Sequence, residues 1–416
     1  MEKKIITKHW HDPEQKSLEG YKKNGGYSAL EKAYGMEPSE ILAEVKASSL
    51  RERDRHGQLC IAKWAAIPKN TDKPKYVVCN AAESEPGTFK DRTILLRDPH
   101  AVLEGIALTC WAIQANHAYV FVRGEFAHAS EVMQAAIDEA YEAGIFGKNS
   151  MDKGFALECT LHRGAGSYVC TEDSALLESL EGKKALPRNI LPLLTTSGLF
   201  GAPTVVSNVE TLATLPWIVE NGGEKYAELG TEKSKGTRLV CISGPVNSPG
   251  VYEVELGASL QKCIDELAGG VQGGRRIRAV IPGGSSSIPL TIEELEGAEL
   301  SYESLEELGS SLGTAGVIVI PEDFCVVESM AVIARFYHDE SCGQCTPCRE
   351  GTGWLSRLLW RIMRGEGTQE DLPMLSHISH GMAGKNLCDL ADSVAAPMLR
   401  FLEIFREDFE KKLRTN

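Results

Sequence analysis

The 416-residue sequence lacks any apolar run that approaches the roughly 20 residues of a membrane-spanning helix. Its polar first residues, MEKKIITKHWHDPEQK, also lack the apolar stretch of a secretory signal. We therefore expect a cytoplasmic protein that is not inserted directly into a membrane and that reaches a membrane only through partner proteins.

Positive charge is also scarce, because 44 Lys and Arg residues face 58 Asp and Glu residues, which gives a formal net charge of -14. A protein that binds nucleic acid needs a basic surface that releases counterions from the phosphates. We therefore expect no nucleic-acid partner. With 43% hydrophobic and 25% charged residues, the composition is typical of a globular chain of two to four domains.

No internal repeat, low-complexity tract or long linker divides the chain, so domain boundaries must come from changes in hydrophobic period. Residues 1–70 predict a polar, helical lead-in. Over 71–240, short apolar runs alternate with amphipathic helices, which is typical of parallel strands joined by helical crossovers. Residues 241–325 predict a small mixed sheet with one helix, and 326–416 predict a helical bundle. The predicted fold class is α/β, with a Rossmann-like domain first.

Twelve cysteines are present, and eight of them are scattered singly through apolar segments. Buried reduced thiols behave as small hydrophobic groups, so we interpret these eight as core residues. They are Cys60, Cys79, Cys110, Cys159, Cys170, Cys241, Cys263 and Cys325.

The other four cysteines form a pattern that predicts a metal centre. Cys342, Cys345 and Cys348 are three residues apart in ESCGQCTPCREG, and Cys388 follows in KNLCDLADS. Three thiolates at this spacing can converge at a tight turn that opens a helix, and a distant fourth can complete the ligand set of a [4Fe–4S] cluster. Structural zinc is the competing interpretation, but zinc sites usually present cysteines as two separated pairs.

The segment ESCGQCTPCREGTGWL with its lone fourth cysteine resembles the cluster segment of the flavoprotein subunit of respiratory complex I, which is the F subunit of NADH-quinone oxidoreductase. The resemblance extends over most of the chain. It includes NAAESEPGTFKDR at 80–92, RGEF at 123–126, HRGAGSYVCTEDSALLESLEGKKALPR at 162–188, VSNVETL at 206–212, IPGGSSS at 281–287 and LGTAGVIVIP at 312–321.

This resemblance implies an FMN-binding α/β domain, a ubiquitin-like domain and a helical bundle that holds the cluster. The family takes hydride from NADH on FMN and passes single electrons to iron–sulfur centres. The resemblance also implies a complex-I-like assembly at the inner membrane. We expect its other members to include a thioredoxin-like 2Fe–2S subunit and a large iron–sulfur subunit, with quinone as the inferred final acceptor.

The chain departs from the family at the nucleotide site. The family's loop reads roughly GLRGRGGAGFPTGLKW, and its glycines let the backbone approach the flavin phosphate. Here the segment is SLRERDRHGQLCIAKW at 49–64, with Glu52, Asp54, Arg55 and Ile61 at glycine positions. At positions where the family commonly has adenine-stacking rings or a flavin-binding carboxylate, this chain has Gln58, Ala66 and Ala82. Two smaller departures are CTED at 170–173 for the family's CGEE, and Ser207 for the first of its paired asparagines.

Several of the family's FMN and NADH positions are nevertheless retained. Where a polar site loses its central partners, the remaining residues commonly serve the fold as turn, cap or core-edge residues, and that is the interpretation we favour here. The retained residues are Lys63, Asn80, Glu83, Ser84, Glu85, Tyr168, Glu172 and Asn208.

Our leading hypothesis is an electron-transfer subunit that keeps the 4Fe–4S cluster, has lost the FMN and NADH site, and receives electrons from a ferredoxin or flavodoxin. Two rivals stay open. One is an active NADH dehydrogenase subunit whose altered loop still binds FMN. The other is a redox-silent structural subunit that keeps the cluster only to fold its bundle.

Overall fold

The computed structural model describes residues 4–414. The chain begins with short helices that pack against the first domain. They are α1 (Leu18–Lys23), α2 (Ser28–Ala33), α3 (Pro38–Ser48) and α4 (Cys60–Ala65). The altered segment 49–64 connects α3 to α4 and includes most of α4, so two helices fix both of its ends.

The first domain contains a four-stranded parallel sheet in the order β3-β2-β1-β4. Its strands are β1 (Tyr76–Ala81), β2 (His117–Val122), β3 (Glu158–Arg163) and β4 (Thr204–Asn208). Its helices are α5 (Lys90–Arg97), α6 (Pro99–Ile113), α7 (Ala127–Glu142), α8 (Asp173–Leu180), α9 (Leu194–Ser197), α10 (Val209–Asn221) and α11 (Gly223–Ala227). Because β4 returns to the far side of β1, the strand order reverses between β1 and β4, where ligands of such sheets commonly bind.

A second, five-stranded mixed sheet has the order β6-β5-β9-β7-β8. Its strands are β5 (Thr237–Ser243), β6 (Gly250–Glu255), β7 (Ile277–Ile281), β8 (Leu290–Thr291) and β9 (Gly316–Pro321). The helices of this domain are α12 (Leu260–Lys262), α13 (Ile292–Leu295) and α14 (Tyr302–Glu307), and a π-helical turn over Cys263–Leu267 continues α12. Val240, Ile264 and Val317 belong to a core of its own.

A helical bundle completes the described chain. Its helices are α15 (Val326–Asp339), α16 (Thr346–Met363), α17 (Asp371–Met382), α18 (Leu390–Ile404) and α19 (Arg406–Lys411). Short 3-10 turns elsewhere cover Thr7–His9, Pro13–Lys16, Ser150–Asp152, Tyr168–Thr171, Leu199–Gly201 and Gln272–Gly274. Apolar residues at helical spacing, such as Leu355, Leu359 and Ile362 on α16, form the core of the bundle.

The predicted fold class is confirmed, because an α/β domain, a small mixed sheet with helices and a helical bundle follow one another along the chain. Seven of the eight scattered cysteines are buried free thiols, and Cys325 is a half-buried one. Among residues 4–414, no helix is long and apolar enough to cross a membrane.

Candidate functional site

A cavity of about 570 Å³ lies at the carboxyl ends of β1 and β4, where the strand order reverses. Asn80 of β1 and Asn208 of β4 are register partners at this edge. The structure brings all the retained family positions to this cavity, and the loop that carries Cys388 forms another part of its wall. The lining includes Lys63, Asn80, Glu83, Ser84, Glu85, Tyr168, Glu172, Asn208 and Cys388.

Lys63 is the buried cation of this cavity. Its Nζ donates to the carbonyl oxygen of Val206 at 3.0 Å and lies 3.4 Å from Asp173 and 3.7 Å from Asp54. Burial alone would lower the pKa of Lys63, but the carboxylates of Asp173, Glu52 and Asp54 outweigh burial and hold that pKa above its ordinary value. Lys63 therefore stays charged and is already neutralised by carboxylates of the chain.

Three of the retained residues cap helices. Glu83 accepts hydrogen bonds from two backbone N–H groups at the start of α5, at 2.7 and 3.2 Å. Glu172 is the N-cap of α8 and accepts from two backbone N–H groups at 3.0 and 2.8 Å. Asn208 is the N-cap of α10 and accepts from the backbone N–H of Glu210 at 2.9 Å. Capping of this kind satisfies helix N–H groups that have no partner within the helix.

The polar groups of the four other retained residues are bonded within the chain. Asn80 Nδ2 donates to the carbonyl oxygen of Thr171 at 3.2 Å. The hydroxyl of Tyr168 donates to Glu85 at 2.7 Å, and Ser84 donates to the carbonyl oxygen two residues before it. The pKa of Glu83 rises to about 7, first because the carboxyl group is buried and second because Asp91 is close. These contacts are consistent with the structural role that the sequence favoured for the retained residues.

Glu52 occupies the anion-binding end of α10. Its side chain has 0% exposure, and its carboxylate accepts hydrogen bonds from Ser207 Oγ at 2.8 Å and from the backbone N–H of Asn208 at 3.2 Å. The N-terminus of a helix attracts anions through its free N–H groups and its dipole. Burial raises the pKa of Glu52, and the charge of Lys63 partly offsets that effect. These two donors at the start of α10 are therefore bonded to a carboxyl group of the chain.

Asp54 takes up backbone donors of the same loop. Its Oδ1 accepts hydrogen bonds from the N–H groups of His56 and Gly57, at 2.8 and 2.9 Å. Burial would raise the pKa of Asp54, but Lys63 and these two N–H groups hold it below its ordinary value. In a glycine-rich phosphate loop such N–H groups face the ligand. Here they are already bonded.

Two of the three arginines of the segment, Arg53 and Arg55, line the cavity and are bonded within the chain. Arg53 is buried, and its guanidinium donates to the hydroxyl of Tyr226 and to the carbonyl oxygen of Thr237, both at 2.8 Å. Arg55 donates to Ser393 of the bundle at 2.9 Å. The contact of this loop with the bundle was missed by the sequence analysis, because no local pattern relates residues 338 positions apart.

Gln58 and Ala66 line the same cavity, and both are exposed. Neither offers an aromatic ring on which a planar base could stack. Ala82 is buried and packs in a small apolar cluster with Val78 and Phe121, so no carboxylate is present at that position. Positions 58, 66 and 82 therefore supply neither a stacking ring nor a carboxylate.

The cysteine-rich turn lies between α15 and α16. Gly343 has a φ of 80°, which a residue with a side chain rarely adopts, and Cys345 is the N-cap of α16. The backbone N–H of Leu387 donates to Cys345 Sγ at 3.3 Å, and the Ser341 hydroxyl lies 3.4 Å from Cys348 Sγ. Hydrogen bonds of this kind stabilise sulfur ligands that carry negative charge.

Cys388 joins this turn from the loop between α17 and α18. The pKa of Cys388 is raised to about 12, first by burial and then by the nearby thiols of Cys342 and Cys348. Burial also raises the pKa of Cys348, as do Cys342 and Cys345. The four thiols are thus close enough to affect one another's ionisation.

Four cysteines from this turn and from the loop before α18 form the donor set. Within residues 4–414, no three His, Cys, Asp or Glu side chains converge as a single metal ion would require. A zinc ion needs all its sulfurs within about 2.3 Å of one point. An iron–sulfur cubane binds one thiolate at each iron, so its ligands lie farther apart, and four cysteines are its usual donors.

Three protein families match the chain. The Nuo51 FMN-binding domain matches residues 45–217, and the NADH-ubiquinone oxidoreductase-F iron–sulfur binding region matches residues 328–412. Between them, the SLBB domain matches residues 238–319, which contain the five-stranded sheet except for the first residue of β5 and the last two of β9.

Similar proteins match over almost the whole chain. The NADH-quinone oxidoreductase F subunit 2 of Rhizobium meliloti is 45% identical over 97% of this chain and 96% of its own length. The NADH-quinone oxidoreductase F subunit of Rickettsia massiliae is 42% identical over 100% and 98%, and that of Mycobacterium tuberculosis is 43% identical over 97% and 92%.

Among solved structures, a chain of an NAD+-reducing [NiFe]-hydrogenase in the H2-reduced state superposes with a TM-score of 0.86 at 34% identity. The match covers 94% of this chain and 65% of that longer chain.

Proposed function

Because the chain belongs to the family of NADH-quinone oxidoreductase F subunits, we propose that it relays single electrons through a [4Fe–4S] cluster without taking hydride from NADH on FMN. The family establishes an electron-transfer subunit with an FMN-type domain and a 4Fe–4S region. Loss of the nucleotide step and the identity of the donor are the parts that we propose.

The observation that carries the proposal is the carboxylate of Glu52 at the N-terminus of α10. A bound phosphate would have to displace this carboxylate from Ser207 and from the backbone N–H of Asn208. Two negative groups in one buried position repel each other strongly, because a low local dielectric screens charge poorly. FMN and NADH both carry phosphate, so both are disfavoured at this position.

We assign the cluster to Cys342, Cys345, Cys348 and Cys388. When bound, the cluster supplies one-electron acceptance and release. The residues of this chain fix its surroundings. Gly343 keeps the turn tight, the N–H of Leu387 faces a ligand sulfur, and Cys388 ties the loop before α18 to the start of α16.

A one-electron carrier is the natural donor for such a centre, since a ferredoxin or flavodoxin needs no hydride step. We further propose that the chain assembles with complex-I-like subunits, among them a thioredoxin-like 2Fe–2S subunit and a large iron–sulfur subunit. In that assembly it would lie on the cytoplasmic side, attached to the inner membrane through those subunits.

An active NADH dehydrogenase subunit is the second candidate, and one observation favours it. The cavity of about 570 Å³ persists, and all the retained family positions line it. Its volume is within the range of roughly 300–1,000 Å³ that small-molecule pockets usually have.

Cofactor content and donor preference decide between these candidates. Anaerobically purified protein should contain about four iron and four sulfide per chain and no FMN absorbance. NADH should not reduce ferricyanide, whereas dithionite should reduce the cluster, as followed by electron paramagnetic resonance. Tightly bound FMN with rapid NADH oxidation would contradict the proposal, and so would a cluster that dithionite cannot reduce.

Substitutions test whether the altered residues cause the proposed loss of FMN binding and NADH activity. The triple variant Glu52→Gly, Asp54→Gly, Arg55→Gly should not regain NADH activity, because ligand binding needs several cooperating groups. Adding Gln58→Phe, Ala66→Phe and Ala82→Asp should recover at least FMN binding, measured by quenching of flavin fluorescence. Glu52→Gln is the matched control, because it removes the charge while still filling the phosphate position, so it should bind no FMN.

A further inference from the structure

An open groove of about 990 Å³ lies between α15, α16 and α17 of the bundle. One wall is a single face of α16, because Trp354, Arg357, Arg361 and Arg364 follow one another at steps of three or four residues. This groove is separate from the cavity at the sheet edge, since the two share no lining residue.

The groove is basic within an acidic protein. The chain carries a formal charge of -14, yet the segment 346–364 has four arginines and one glutamate. Three of these arginines are paired, Arg349 with Glu350, Arg361 with Asp371 and Arg364 with Glu366. Arg357 is exposed and has no ion-pair or hydrogen-bond partner among residues 4–414. A positive charge without a partner therefore remains at the centre of the face.

Two large apolar side chains lie beside this charge. Trp354 on α16 and Met374 on α17 are each 48% exposed, and both line the groove. Tryptophan and arginine are the residues that most often dominate the binding energy of protein interfaces. Methionine is also enriched at interfaces relative to the rest of a protein surface.

The groove is close to the cluster ligands. The helix α16 begins directly after Cys345 and contains Cys348. Trp354 follows Cys348 by six residues, so it is displaced about 9 Å along the helix axis at 1.5 Å per residue. A protein bound over Trp354 would hold its own redox group near the cluster.

We propose that this groove is the docking site of the electron donor and that the donor is a small acidic one-electron carrier protein. This inference rests on the proposed function and adds the location and the charge of the partner. Acidic groups around the redox group of the donor face Arg357, while an apolar patch covers Trp354. Complementary charge of this kind mainly accelerates association, and salt weakens its effect.

Reduction of the cluster by an acidic ferredoxin, measured by stopped flow at several salt concentrations, tests the proposal. Arg357→Glu should slow reduction about tenfold at low ionic strength, and the difference should shrink as salt is added. Trp354→Ala should weaken ferredoxin binding about tenfold at all salt concentrations, and Trp354→Phe should restore most of it. Arg276→Glu is the matched control, because Arg276 is an exposed arginine outside the bundle.

Iron content and reduction by dithionite should be the same in all these variants, which separates docking from folding and from the competence of the cluster. Equal ferredoxin rates for the wild type, Arg357→Glu and Trp354→Ala at every salt concentration would overturn the docking site and leave the relay function intact. Failure of dithionite to reduce the wild-type cluster would instead contradict the relay function. A wild-type dimer that Arg357→Glu dissociates would identify a second copy of the chain as the occupant and overturn the proposal.

Discussion

At the scale of single residues, the loss of the nucleotide step that we propose rests on Glu52. Its carboxylate bonds to Ser207 and to the N–H of Asn208, where the start of α10 would otherwise attract an external anion. A glycine at this position would leave both donors free. In this chain both donors are instead bonded to a buried carboxyl group.

Asp98 gives a pH test at the same scale. Asp98 is the N-cap of α6, and its other carboxylate oxygen accepts a hydrogen bond from Gln15 at 3.0 Å. Burial raises the pKa of Asp98 from 3.8 to about 7. The folded protein therefore keeps this proton over a range in which the unfolded chain releases it. The contribution of this proton to the free energy of unfolding is complete below the pKa that Asp98 has in the unfolded chain. It is lost as the pH rises towards 7.

We therefore expect the difference in free energy of unfolding between the wild type and Asp98→Asn to change with pH. The stability of the wild type relative to Asp98→Asn should fall by roughly 3 kcal/mol between pH 5 and pH 7.5. The fall is about 1.4 kcal/mol for each pH unit below the pKa of Asp98 in the folded protein. Asparagine can still cap α6, so the helix should persist. Urea denaturation at both pH values measures the difference, and a difference independent of pH would show that Asp98 is ionised in the folded protein.

At the scale of elements, the cluster turn is held by helices on both sides. Cys345 and Cys348 belong to the start of α16, whereas Cys388 lies in the loop between α17 and α18. Cys388 also packs against the core of the bundle. A cluster bound to these cysteines would therefore link two helix connections that no disulfide joins.

Replacing Cys388 should affect both the cluster and the bundle. Cys388→Ala should lower the iron content well below four per chain and lower the melting temperature, because metal binding contributes to folding free energy. Iron analysis and thermal denaturation measure the two effects. Cys325→Ala is the matched control, since Cys325 is a half-buried thiol outside the predicted ligand set and should leave iron unchanged. Unchanged iron in Cys388→Ala would identify a different fourth ligand.

At the scale of the whole molecule, a buried polar network connects the first two domains. Arg238 on β5 donates to the carbonyl oxygens of Arg53 and Gly313, at 3.1 and 2.8 Å. It also lies 3.9 Å from Glu210 on α10, whose carboxylate is 2.9 Å from Lys90. The altered loop, helices α5 and α10 of the first domain and the mixed sheet therefore share one set of partners.

Arg238→Met should destabilise the protein because it removes one member of this network and leaves buried acceptors without donors. We expect a loss of about 3 kcal/mol in the free energy of unfolding. Arg276→Met, at an exposed arginine that is paired with Glu322, should change stability by less than about 0.5 kcal/mol. Chemical denaturation measures both. Equal effects of the two substitutions would contradict a structural role for the network.

The sequence by itself determined the order of domains, the candidate cluster cysteines and the loss of glycines from the loop at 49–64. These features are local, since strand and helix periods extend over a few residues and Cys342, Cys345 and Cys348 lie within one short segment. The retained family positions were also found in the sequence by resemblance, but their common location at one cavity became visible only in the structure.

Only the tertiary structure decided what Glu52 and Arg55 bond to, and that Arg357 lies exposed in a groove. Glu52 bonds to Ser207 across 155 positions, and Arg55 bonds to Ser393 across 338, and such pairs depend on how domains pack. The helical period placed Arg357 and Trp354 on one face, but it could not show that α15 and α17 leave that face open as a groove. Local patterns specify elements because neighbouring residues share backbone geometry, whereas contacts between distant segments depend on the packing of all the elements together.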